Sequence, residues 1–87
     1  MGDNHPHTLT SADNLSACLR LLGCYEQARQ LSEDTLTRRR ILGEDHLDTL
    51  ILAAHLSAVL RELGQHEQAR QLAEDTYTRY RQVLGAG

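Results

Sequence analysis

The chain has no tryptophan, no phenylalanine and only three tyrosines in 87 residues. A core without large rings is built from Leu, Ala and a few Ile and Val, which suits thin helices approaching one another closely. Proline occurs once, at Pro6, so nothing downstream interrupts a helix. No apolar run approaches the roughly 18 residues that a membrane span needs, and no charged-then-apolar leader opens the sequence. Acidic and basic residues are interspersed, with a net charge of −3 and 24% charged residues, so there is no electrostatic footprint for nucleic acid or a membrane surface. The longest like-charge run, Arg38-Arg39-Arg40, follows Asp34 by one turn; it reads as a solvated helix face, with a phosphate contact as the alternative.

Cysteine is scarce too. Cys18 and Cys24 on one helix would lie about 9 Å apart along its axis, too far to bridge. Cys18 is expected to be a small buried packing residue and Cys24 to be exposed at a turn. Two free thiols and no leader fit a reducing, cytoplasmic setting.

What is present is one unit written twice. The phrase "GDNHPHTL" returns as "GEDHLDTL", and shifting the chain by 41 positions makes 23 of the 36 pairs from His5–Arg40 against His46–Arg81 identical. Self-similarity at such a period is the signature of stacked supersecondary units. Repeat one spans 2–42 and repeat two 43–84, within a single domain.

Each unit reads as two helices. The first covers about 8–22 and 48–63, with apolar stripes at Leu9, Ala12, Leu15, Leu19 and Leu22, then Leu50, Ala53, Leu56, Leu60 and Leu63. Ser16 and Ser57 sit beside these stripes as small residues. Gly23 and Gly64 stand where a left-handed cap residue ends a helix. The second helix covers about 25–42 and 66–84, its inner face carried by Ala28, Leu31, Ser32 and Thr35, then Ala69, Leu72, Ala73 and Thr76. Asp34–Arg38 and Asp75–Arg79 are acid-before-base pairs four residues apart on the outer face. The expected fold is all-α: four antiparallel helices as two hairpins.

Joint, glycine, alanine and apolar spacing, all recurring twice, resemble a tetratricopeptide repeat. The longer period and the "LG-x-D-H-P-x-T" joint resemble its kinesin-light-chain-like subtype, whose unit runs to about 42 residues instead of 34. The wording "DNLSACLRLLGCYEQARQLSEDTLTRRR" is similar to repeats of actinobacterial regulators, where such arrays follow a nucleotide-binding switch domain. Two departures fall at the joint. Leu47 replaces the proline that Pro6 retains, and "TRRRILG" is one residue shorter than "TRYRQVLG". Both weaken the instruction to turn after Gly43, making Gly43 and Leu47 a candidate hinge.

Chemistry finds little support. His5 and His7 form a His-x-His pair, but a defined metal site needs three or four converging ligands. Ser16 and Ser57 fall at packing positions, and Glu26 and Glu67 begin helices, where a carboxylate complements the dipole. No catalytic residue, cofactor or metal is expected. The resemblance instead implies a concave groove lined by the first helices. Carried over by position, its candidates are Thr10, Asp13, Asn14, Ala17 and Arg20, then Ile51, Ala54, His55, Ala58 and Arg61. Asn14 stands where the subtype often holds peptide backbone, and Arg20 and Arg61 would engage a carboxylate. The plainer alternative is a pair of solvated helix faces.

Stacked repeats usually need three or more units and polar caps, and two uncapped units leave apolar ends. Leu9 at one end, with Ala12, and Tyr77, Tyr80, Val83 and Leu84 at the other are the candidate self-association surface. A few hundred Å² of such surface amounts to several kcal/mol of unmet burial at about 25 cal/mol per Å². A homo-oligomer is expected, a dimer favoured, formed either by head-to-tail stacking or by exchange of hairpins at the joint. The leading function is a non-catalytic scaffold for a protein or peptide partner. The alternative is a sensor or autoinhibitory segment of a larger nucleotide-switch regulator. An assembly held by metal through the histidines is a third.

Overall fold

The computed structural model describes residues 6–43 and 46–85, with side chains from residue 9 onward. Four helices follow one another: α1 (Pro6–Leu21), α2 (Tyr25–Gly43), α3 (Leu47–Glu62) and α4 (His66–Val83). α1 packs on α2, α2 on α3 and α3 on α4, with a slight contact of α1 with α3. This is two helical hairpins stacked side by side.

The glycines end the helices as their positions demand. Gly23 and Gly64 both have φ +81°, where a side chain would clash with its own backbone. The Gly23 N–H donates to the Arg20 carbonyl and the Cys24 N–H to that of Leu19; Gly64 and Gln65 repeat this onto Arg61 and Leu60. That double bond pattern closes each helix and reverses the chain within a turn.

The joint is closed without its proline. His46 caps α3, its Nδ1 accepting from the Asp48 N–H at 3.1 Å. The His46 N–H reaches the Gly43 carbonyl at 3.3 Å, and the buried Thr49 hydroxyl donates to the same oxygen at 2.8 Å. α2 therefore runs through Gly43 and α3 begins at Leu47, fastened together by His46 and Thr49 where the sequence suggested a weak turn.

The core lies between the hairpins. Leu36 of α2, Leu52, Ala53, Leu56 and Leu60 of α3 and Ala69 of α4 form one buried cluster, with Leu72 packed against it. Ala28, Ser32 and Thr35 close the α1–α2 seam, where Ser16 and Ser32 hydroxyls meet at 2.6 Å. On the outer faces Arg38 and Arg79 donate to Asp34 and Asp75 at 3.1 and 3.0 Å, as the i,i+4 spacing implies.

Several side chains depart from expectation. Leu15 and Leu56 are equivalent, yet Leu15 is 53% exposed and Leu56 4%. α3 has a helix on both sides, whereas α1 has neighbours on one side only. Leu22 and Cys18 are exposed likewise, Cys18 against the expected burial, while its counterpart Val59 is buried; Cys24 is half-buried. Leu9, expected at an open edge, is buried at 1%. It lies at the joint end of α1 with Arg39, Leu42, Gly43, His46 and Thr49 around a cavity of about 180 Å³. Helical phase explains the difference: Ser16 lies about 20° from Leu9 around the helix and Leu15 about 120° away. At the other end Ala73, placed on the inner face by sequence, is exposed because no helix follows α4 among the described residues.

Candidate functional site

A cleft of about 560 Å³ lies between α3 and α4. Its floor is made of small residues, Ala54 and Ala58 from α3 and Ala69 and Ala73 from α4. Without long side chains there, the two helices leave a smooth trough. Thr76 is buried at its base, its hydroxyl turned back onto the Leu72 carbonyl at 2.7 Å.

The walls carry the chemistry. Tyr77 and Tyr80 project from α4, Tyr77 more than half exposed, with the Arg81 guanidinium 5.8 Å from its ring centroid. Arg61, His66 and Arg70 line the cleft from around the α3–α4 turn. Arg70 is held by Glu67 and Glu74, the latter at 2.9 Å. Its hydrogen bond to Glu67 lowers the carboxyl's pKa below the ordinary range and raises its own. Arg29 is clamped in the same way by Glu26 and Glu33, with Glu26 lowered by the Arg29 hydrogen bond. The trough is thus apolar along its floor, aromatic on one wall and cationic at one end.

Placing the sequence-derived residues sorts them into groups. Arg61, Tyr77 and Tyr80, assigned by sequence to a peptide groove and to a self-association edge, line this one cleft. Ile51 and His55 border a shallower depression with Ala54, Ala58 and Tyr80. Asn14 is exposed on α1, whereas Asp13 turns to α2 and accepts two hydrogen bonds from Arg39. Asp13 is thereby committed to an internal ion pair instead of a ligand. The Arg20 Nε is buried without a hydrogen bond. Val83 and Leu84 are exposed near the end of α4. Gly43 and Leu47 form the fastened joint. His5 lies outside the described residues, as does the His7 side chain, and among the described residues no three His, Cys, Asp or Glu side chains converge as metal ligands.

Sequence reasoning missed Leu15, Cys18 and Leu22 as one exposed face, and Arg70 as a cleft residue. The repeat register contained the signal for the first group: a position that contacts the preceding hairpin in repeat two has no such hairpin before it in repeat one among the described residues.

The cleft has an occupied counterpart. Moving the lining residues back by 41 positions gives, among others, Asp13, Ser16, Ala17 and Arg20 of α1 and Ala28, Ser32 and Leu36 of α2. Leu36 of that set packs with Leu52, Ala53, Leu56 and Leu60 of α3, which lies against the first hairpin chiefly along α2. Two-helix units stacked so that each covers the last define a helical-repeat fold. The tetratricopeptide repeat family matches residues 7–82, and the chain belongs to that family. No curated protein and no solved structure gives a significant match. No helix is long and apolar enough to cross a membrane among the described residues.

Proposed function

We propose that this chain is a non-catalytic interaction scaffold that binds a helical or extended protein segment in the α3–α4 cleft and associates with itself through its uncovered end faces. The family is one whose repeats generally mediate protein–protein contacts. One observation carries the reading: the cleft is the empty counterpart of the place that α3 fills in the first hairpin. A floor of alanines takes an apolar ridge, Tyr77 and Tyr80 supply large contact area, and Arg61 offers a cation to a carboxylate on the incoming segment. Asn14, Arg20, Ile51 and His55 are proposed as further peptide contacts beyond the cleft.

The test is absolute mass by light scattering across a hundredfold range of concentration. Species heavier than the monomer support self-association. A folded monomer throughout sinks that part and leaves the cleft to an outside protein, sought then by whether Y80A abolishes capture of that protein.

A further inference from the structure

We infer that the α3–α4 cleft of one copy receives α1 of a second copy, in the register that α3 occupies against the first hairpin, so that copies stack head to tail. This rests on the self-association reading and specifies its geometry.

Both halves of the α2–α3 contact are displayed, uncovered, at opposite ends of the chain. The receiving half is the cleft, with Tyr77 at 63% exposure where Leu36 is buried at 4% in repeat one. The inserting half is the outer face of α1, where Leu15 stands in place of Leu56, which packs with Leu36, and where Cys18 and Leu22 are exposed beside it. A surface that exposes both sides of an interface it already makes internally is complementary to itself by translation along the stack.

The differences between the internal and terminal versions compensate one another. On the receiving side Leu36 becomes Tyr77 and Arg39 becomes Tyr80, while Ser32 becomes Ala73. On the inserting side residues shrink, Leu52 becoming Ser11 and Val59 becoming Cys18. Leu36 and Leu52 share one cluster, so a larger Tyr77 meeting a smaller Ser11 keeps the volume at that contact roughly constant.

Shape argues against a two-fold pairing of clefts. Two troughs laid face to face enclose space instead of filling it. A ridge-forming helix fills a trough. A head-to-tail contact, unlike a two-fold one, leaves a cleft at one end and an α1 face at the other, so assembly proceeds beyond a dimer as an open stack or a closed ring.

Two variants separate these geometries. L15R blocks the α1 face and Y77R the cleft, both at positions more than half exposed, where arginine suits a helix. Helix content by circular dichroism and an unfolding transition confirm that each is folded. Head-to-tail stacking predicts that wild type grows beyond a dimer with concentration and that each variant alone is monomeric. An equimolar mixture then forms a single 1:1 heterodimer of twice the monomer mass, since one intact cleft meets one intact α1 face.

L15R pairing by itself would instead mean a cleft-to-cleft dimer. Y77R pairing by itself would mean α1 against α1, and both pairing alone would mean exchanged hairpins. Any of these overturns the inference while leaving self-association standing. A wild-type chain that stays monomeric removes the self-association reading as well.

Discussion

Arg39 of α2 donates through Nε and Nη2 to the same oxygen of Asp13 on α1, at 3.1 and 2.5 Å, across 26 residues of sequence. In the second hairpin the equivalent pair is Ala54 and Tyr80, with no charge at all. The two units therefore solve one packing position in two ways. Arg39 is 9% exposed and the other Asp13 oxygen, Oδ1, is buried without a partner, so the pair sits where charge is costly to leave alone.

R39A is expected to destabilise the fold by about 1–3 kcal/mol, because it strands the Asp13 carboxylate in a half-buried place. The double variant D13A/R39Y, which writes the second unit's solution into the first, should return to within about 1 kcal/mol of wild type. Urea unfolding of the three proteins decides it; a double variant as weak as R39A would show that the pair is needed for more than charge balance.

The Ser16 hydroxyl reaches both Ser32, at 2.6 Å, and the Ala28 carbonyl, at 3.3 Å. Removing Ser32 leaves Ser16 a second acceptor, whereas removing Ser16 leaves the buried Ser32 hydroxyl without its partner. S16A should cost about 1–3 kcal/mol and S32A about 1 kcal/mol or less. The order of the two in denaturant midpoints is the check, and the reverse order would contradict this account.

Leu15 and Leu56 offer a comparison at one repeat position. L56A opens a cavity in the cluster around Leu36 and should cost about 2–4 kcal/mol, while L15A at low protein concentration should change stability by less than about 0.5 kcal/mol. Thermal unfolding of dilute samples reads both.

At Gly64, φ +81° makes any side chain strained although open space surrounds it. G64A should lose about 1–2 kcal/mol from backbone conformation alone. A G64A protein as stable as wild type by calorimetry would mean that the α3–α4 turn can re-form without a left-handed residue.

Glu26 and Glu67 titrate below the ordinary carboxylate range because Arg29 and Arg70 hydrogen-bond their charged forms. A lowered folded-state pKa means the unfolded chain binds more protons in that window. The stabilisation is fully present above the unfolded pKa and fades as pH falls through the folded one. The double variant E26Q/E67Q should flatten the acid limb of the melting-temperature profile and leave the difference from wild type constant above the carboxylate range. The effect is small, since both pairs are exposed and salt weakens them.

Much of the architecture is legible in the sequence because it is local. Period, cap glycines and i,i+4 pairs depend on residues within one or two turns, and the helix bounds fall within about two residues of those the pattern implies. The site is less legible. Asp13 looked like a ligand contact and Leu9 like an open edge, since a single helix pattern does not say which of several adjoining faces meets a neighbour. Cys18 misled for the same reason: its counterpart Val59 is buried, whereas no hairpin precedes α1 among the described residues.

The sequence alone determined four helices, two units, where each helix stops and which family the repeat resembles. Hydrogen bonds and helical phase are set along the chain, so the order of residues suffices. Only the tertiary structure decided which of two identical residues is core and which is surface, that Asp13 is bound to Arg39, and that Arg61, Tyr77 and Tyr80 share one cleft. Those outcomes depend on what lies across a contact, and a repeated sequence gives both copies the same side chains while the stack gives them different neighbours.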